Sequence, residues 1–169
     1  MEQIQTVTRF ASDALLRIAA VGLVLMTIIV SWQVFGRNVL GSSPSWSEEA
    51  SLTLMIWYVA LAAAAGVREG FHISIVAVQD VAPPRVRVLM RIASSLVVGL
   101  CGAGMAIWGG ELVARTWGHA IPALGLPRGL AYLGVPIAGL LIVLFSFERT
   151  LEEIRALQAR GAEDGPWSC

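Results

Sequence analysis

Residues 18–36 read IAAVGLVLMTIIVSWQVFG, without one charged side chain. At a helical rise of about 1.5 Å per residue, a run of this length covers the roughly 30 Å hydrocarbon core of a bilayer. Three more uncharged runs follow, at residues 50–67, 92–110 and 129–147. Every Arg, Asp, Glu and His falls between or beyond the four. Such segregation makes lipid the solvent. It predicts an all-α integral membrane fold with four transmembrane helices, near residues 16–36, 47–67, 91–111 and 129–148, in one membrane domain over 1–169.

Composition agrees. Of 169 residues, 56% are hydrophobic and 14% charged, and mean hydropathy is +0.71. A soluble domain carries about a quarter charged residues. The formal net charge is zero, which argues against a broad electrostatic attraction to nucleic acid. The first run is longer than the apolar core of a signal peptide, about 7–15 residues, and Trp32-Gln33-Val34-Phe35 is no small-residue cleavage site, so it is expected to stay as a span. Cys101 within span three and Cys169 at the end are poorly placed for a disulfide.

All basic residues are Arg, and they are distributed unevenly. Arg9, Arg17, Arg68, Arg85, Arg87, Arg91, Arg149, Arg155 and Arg160 fall on one side of the four spans; Arg37, Arg115 and Arg128 fall on the other. The positive-inside rule then places both termini in the cytoplasm. Trp32, Trp46, Trp108, Trp117 and Tyr132 lie near the expected outer span ends, where amphipathic rings favour the headgroup level. Trp57 lies deep in span two and is expected to pack against another helix.

Ser45-Trp46-Ser47-Glu48 has capping-box spacing and predicts the start of span two. Glu48 and Glu49 suit the positive end of that helix, or a pair with Arg37 across the short outer loop; the functional alternative is ion or proton handling. Two short amphipathic segments, 3–15 and 70–82, are expected to lie along the interface, the first by the stripe Ile4, Val7, Ala11 and Leu15. Pro83-Pro84 closes the second. The cytoplasmic tail, 149–169, begins as a helix that Gly161 is expected to end.

Chemistry has little material here. The spans hold Thr27, Ser31, Gln33, Ser51, Thr53, Ser94, Ser95 and Ser146, but no ionisable Asp, Glu, His or Arg mid-span for an ion or proton path. His72 and His119, on opposite sides by this topology, cannot share a metal or haem. No phosphate loop, hydrolase triad or HExxH is present, so no enzyme and no cofactor is expected. Small residues are plentiful instead: Gly99, Gly102, Ala103, Gly104, Ala106, Gly109 and Gly110 in span three, and Ala62 and Gly66, four apart, in span two. Such residues let helix backbones approach closely.

The loops add a signature. Gln33-Val34-Phe35-Gly36-Arg37-Asn38-Val39, Trp46-Ser47-Glu48-Glu49, Gly66-Val67-Arg68-Glu69-Gly70-Phe71-His72-Ile73, Pro122-Ala123-Leu124-Gly125-Leu126-Pro127, then Tyr132 and Val135-Pro136-Ile137 occur in that order. Over residues 17–148 the chain resembles the small membrane (DctQ-type) subunit of tripartite ATP-independent periplasmic (TRAP) transporters. It departs from that pattern after His72-Ile73, where Ser74, Ile75 and Val76 stand near a common acidic position.

The resemblance implies a bacterial inner-membrane protein with two partners: a larger DctM-type subunit that binds sodium and substrate and moves as an elevator, and a periplasmic DctP-type binding protein that delivers an organic acid. It implies a non-catalytic support role for this chain. Arg37, Trp46, Glu48, Glu49, Gly66, Arg68, His72, Pro122, Pro127 and Pro136 are then motif positions. Arg37, Arg115 and Arg128 are candidates for docking the binding protein, and Arg68, Glu69 and His72 for holding the inner corner. The alternative reading is an autonomous four-helix transporter or channel acting as an oligomer.

Overall fold

Lipid offers no hydrogen bonds, so a chain crossing it must satisfy its backbone within helices. In the computed structural model, which describes residues 2–41, 44–69 and 84–163, five helices do this. They are α1 (Glu2–Val39), α2 (Ser45–Glu69), α3 (Pro84–Thr116), the short α4 (Arg128–Tyr132) and α5 (Gly134–Glu163). Four segments are long and apolar enough to cross a membrane: Thr8–Val39, Ser45–Arg68, Leu89–Thr116 and Arg128–Leu151. Successive spans run in opposite directions. The loops at residues 40–44 and 117–127 therefore share one end, the hairpin end, and the N-terminus shares the other with the start of α3.

The N-terminal stretch 3–15 is not a separate helix. It forms the first turns of α1, a continuous helix of 38 residues. The expected segment 70–82, with His72, lies outside the described residues, as does the tail beyond Glu163. α5 runs to Glu163, past Gly161, the expected stop. The start of α2 also differs from the expected capping box. Pro44 precedes the helix, and its carbonyl accepts from the Ser47 N–H at 3.2 Å and the Ser47 hydroxyl at 2.7 Å. The Ser45 hydroxyl makes no such bond among the described residues.

The helices pack in series: α1 on α2, α2 on α5, α5 on α3. Burial follows that order. The central spans from α2 and from α4–α5 are 28% and 39% buried, the outer ones from α1 and α3 only 6% and 17%. On α1 the side facing α2 is Thr8, Ser12, Leu15, Ala19, Gly22, Met26, Ile29, Gln33 and Gly36, in alternating steps of four and three. A 3.5-residue period is the spacing that keeps one side of a helix against a neighbour along its length. Its register is fixed at two levels. Arg68 Nη2 donates to Thr8 Oγ1 at 3.2 Å, and a Cβ on Gly22 would lie 3.0 Å from Tyr58 Cβ. Ile18, Val21, Val24, Leu25, Ile28 and Trp32 point away from the seam and are exposed.

α3 meets α5 along Ser95, Gly99, Gly102, Ala106 and Gly109, again in steps of four and three, and the same stripe continues to Val113 against Gly129 of α4. A Cβ on Gly139 would lie 2.6 Å from Ala106 N and 2.7 Å from Gly102 O, so the two backbones touch and only glycine fits. The Ser146 hydroxyl donates to the Ser95 carbonyl. Between α2 and α5 the core is Ala60, Ala64, Ala138 and Ile142. Ala60 and Ala64 thus carry the close approach expected of Ala62 and Gly66, which are half-buried. Gly104 faces its own Trp108, and Gly110 faces open space.

Span four breaks at Leu133, between α4 and α5. Pro136 lacks the N–H that would bond to the Tyr132 carbonyl, and as the third residue of α5 it stands where a helix tolerates proline. Trp57 fits this break. Its indole Nε1–H donates to the Leu130 carbonyl at 3.2 Å, and its ring packs on Gly134, where a Cβ would lie 3.2 Å from Trp57 Cδ2.

Candidate functional site

Several hydroxyls in and beside the spans bond to backbone. Thr27 donates to the Leu23 carbonyl at 2.8 Å, Ser51 to Ser47 at 2.7 Å, Thr53 to Glu49 at 2.8 Å and Thr150 to Ser146 at 2.9 Å. Bonds of this kind close each hydroxyl onto its own helix and leave it a poor ligand for a passing ion. No three His, Cys, Asp or Glu side chains converge among the described residues. Cys101 is exposed on α3. The polar structure is concentrated at the two ends of the row.

At the hairpin end, residues 117–127 fold back on themselves. Ile121 N–H donates to the Leu126 carbonyl at 2.8 Å, Gly125 N–H to Ile121 at 2.8 Å and Arg128 N–H to His119 at 2.7 Å, with an antiparallel bridge between Ala120 and Pro127. Gly125 turns the chain at φ +65°, a left-handed conformation that glycine adopts without strain. Pro127, at φ −60° and ψ 133°, precedes α4 and accepts the Leu130 N–H at 3.0 Å. Trp117 lies against Gly129, where a Cβ would be 2.8 Å from Trp117 Cε3. The hairpin is tied to α2 by Glu49, whose Oε2 accepts the Ala123 N–H at 3.0 Å.

The expected pair between Arg37 and Glu48 or Glu49 does not form. Arg37 and Glu48 are exposed and separate, and Glu49 takes a backbone partner. Arg115 Nη2 pairs with Glu111 Oε1 at 2.6 Å, one turn away on α3 and in solvent-exposed positions. Arg37, Arg128, Trp46, His119 and Pro122 are exposed at this end.

At the opposite end a polar clasp joins three helices. Thr8 Oγ1 donates to Glu148 Oε1 at 2.9 Å while accepting from Arg68 Nη2, and Arg149 Nη1 donates to the Val67 carbonyl at 3.3 Å. Of the expected inner-corner residues, Arg68 is the one whose bond joins α2 to α1 in this clasp. Thr8, Glu148 and Arg149 were not singled out by sequence, although Glu148-Arg149 is the first charged pair beyond span four.

The family model for tripartite ATP-independent periplasmic transporters, DctQ component, matches residues 26–156. A TRAP transporter small permease protein of Haemophilus influenzae is 27% identical over 151 residues, covering 89% of this chain and 93% of its own. The sialic acid TRAP transporter small permease protein SiaQ of Vibrio cholerae is 19% identical over 129 residues, 76% of this chain and 75% of its own. The C4-dicarboxylate TRAP transporter small permease protein DctQ of Rhodobacter capsulatus is 32% identical over 120 residues, 63% of this chain and 51% of its own. Together with four helices long and apolar enough to cross a membrane, these matches identify the chain: it belongs to the DctQ family, the small permease subunits of TRAP transporters, and is a multi-pass inner-membrane transport component, not an enzyme.

Proposed function

We propose that this chain is the fixed support of its transporter, and that cargo and sodium pass through the larger DctM-type subunit beside it. The observation that carries this reading is the serial row of helices: small residues line its closest contacts, no Asp, Glu, His or Arg interrupts its four uncharged runs, and Thr27, Ser51 and Thr53 bond back onto backbone. A transport path requires groups able to replace an ion's hydration shell, and a row of this kind supplies no charged one within its spans. By the excess of Arg at the terminal end, that end faces the cytoplasm and the hairpin end faces the periplasm. Segment 3–15, being continuous with α1, then stands as a stalk on the cytoplasmic side. At about 57 Å, α1 outreaches the hydrocarbon core.

The periplasmic end would receive the loaded DctP-type binding protein through Arg37, Arg128 and the hairpin 117–127. Arg115, already paired with Glu111, contributes less. Relatives are named for sialic acid, ectoine and C4-dicarboxylates, compounds that differ in charge but all carry a carboxylate, and this reading gives the transporter a carboxylate-bearing cargo. Reconstitution tests the support role. Liposomes holding this chain alone should show no uptake of labelled organic acid under a sodium gradient, and adding the larger subunit and loaded binding protein should restore it. Flux from this chain alone would mean an autonomous carrier. Reversing Arg37 and Arg128 together (Arg37→Glu, Arg128→Glu) should weaken binding-protein association; unchanged association would remove both from the docking surface.

A further inference from the structure

Glu49 sits in the first turns of α2, half-buried, and its carboxylate is not used as helix caps or surface acids use theirs. Its Oε2 reaches the backbone N–H of Ala123, 74 residues away, at 3.0 Å. Ala123 occupies the tip of the hairpin, between the Ile121 and Gly125 backbones that close the turn. The turn's own bonds, Ile121 N–H to Leu126 O and Gly125 N–H to Ile121 O, leave the Ala123 N–H pointing out of the hairpin toward α2. A charged acceptor on a helix is therefore the tie between the hairpin tip and the membrane-spanning row. Hydrogen bonds to ionised groups are about twice as strong as neutral ones.

We infer that Glu49 is a positioning residue: it holds the hairpin at a fixed angle to the row, so that Trp117, His119, Pro122 and Leu126, all exposed, present one preformed periplasmic surface to the binding protein. This rests on the docking role proposed above for that end of the molecule. Preorganisation matters because a loop ordered only on contact loses binding free energy to its own ordering. Glu48, one residue earlier and exposed, makes no such tie, so the two neighbouring acids differ in duty.

The test uses the assembled two-subunit transporter in nanodiscs, with Glu49→Ala, Glu49→Gln and Glu48→Ala variants. Hydrogen exchange over residues 119–126 reads the tie, and surface-immobilised binding protein reads association. Glu49→Ala should speed exchange at the hairpin by about ten-fold. It should also raise several-fold the binding-protein concentration giving half-maximal uptake, while leaving the saturated rate near wild type. Glu49→Gln keeps a carbonyl oxygen acceptor and should recover most of both effects, and Glu48→Ala should change neither. If the alanine variant does not assemble, Glu49→Asp, one methylene shorter, should give the same effects at smaller size. Unchanged exchange in the variants would overturn the tie itself. Faster exchange with unchanged association and uptake would overturn the docking role and leave Glu49 a structural brace.

Discussion

The seam between α3 and α5 and the seam between α1 and α2 share a 3.5-residue spacing but are closed by different atoms. At α3–α5 the contact is backbone on backbone: Gly139 against Gly102 and Ala106, with no room for a Cβ. At α1–α2 side chains enter the contact: Tyr58 lies over the Gly22 backbone, and Thr8 bonds to Arg68. Lipid tails are as apolar as leucine, so burying leucine between helices gains little there, and close van der Waals contact and shared hydrogen bonds must hold the pair. Both seams combine the two means: α3–α5 adds the Ser146–Ser95 hydrogen bond to its backbone contact, and α1–α2 adds the Thr8–Arg68 bond at its terminal end. α1, with one main neighbour and a Thr–Glu–Arg clasp at its base, is accordingly the more separable edge of the row.

Substitutions at the two seams should differ in size. Gly139→Leu forces side-chain atoms onto the α3 backbone and should destabilise by about 3 kcal/mol or more, seen as loss of folded protein in a thermal melt in mild detergent. Thr8→Val keeps the shape but removes the hydroxyl between Arg68 and Glu148. It should cost about 1.5 kcal/mol and speed proteolysis near the N-terminus without loosening α3 from α5. Gly22→Ala presses a methyl against Tyr58 Cβ and should cost roughly 0.5–1 kcal/mol, since that contact must give by only a few tenths of an ångström. Gly110→Ala points into open space and should be neutral or gain about 0.5 kcal/mol from helix propensity. Equal melting losses for Gly139→Leu and Gly110→Ala would show that glycine content, not the seam, sets stability.

The four spans were legible because charge marks their limits plainly. The seams were harder to read because the rule for soluble amphipathic helices points the wrong way in lipid. The apolar stripe Ile4, Val7, Ala11 and Leu15 suggested an in-plane helix, yet the side of α1 that packs shares only Leu15 with it and is most buried at the small and polar Thr8, Ser12, Ala19 and Gly36. Span three was correctly read as a packing surface, but composition could not separate Gly102, which touches α5, from Gly104 and Gly110, which do not. Heptad phase separates them: Ser95, Gly99, Gly102, Ala106, Gly109 and Val113 share one register, and the other two glycines fall outside it. The packing of deep Trp57 was expected, but not its bond to Leu130, because that carbonyl, which also accepts the Leu133 N–H, lies at a break in span four that only the fold reveals. Glu49 belonged to a recognisable motif, but its partner is a backbone N–H far along the chain, which no local pattern encodes.

The support role is tested most directly by an intramolecular distance followed through the transport cycle. Cys101 is exposed on α3, and Leu25, exposed on α1, can be replaced by cysteine (Leu25→Cys) with Cys169→Ser removing the remaining thiol. Spin labels at the two positions, in the complete transporter in nanodiscs, report the width of the row. A fixed support predicts the same distance distribution without sodium, with sodium, and with sodium plus loaded binding protein. A shift of several ångströms on loading would show that the row itself moves with the cargo, and would contradict the role assigned to it.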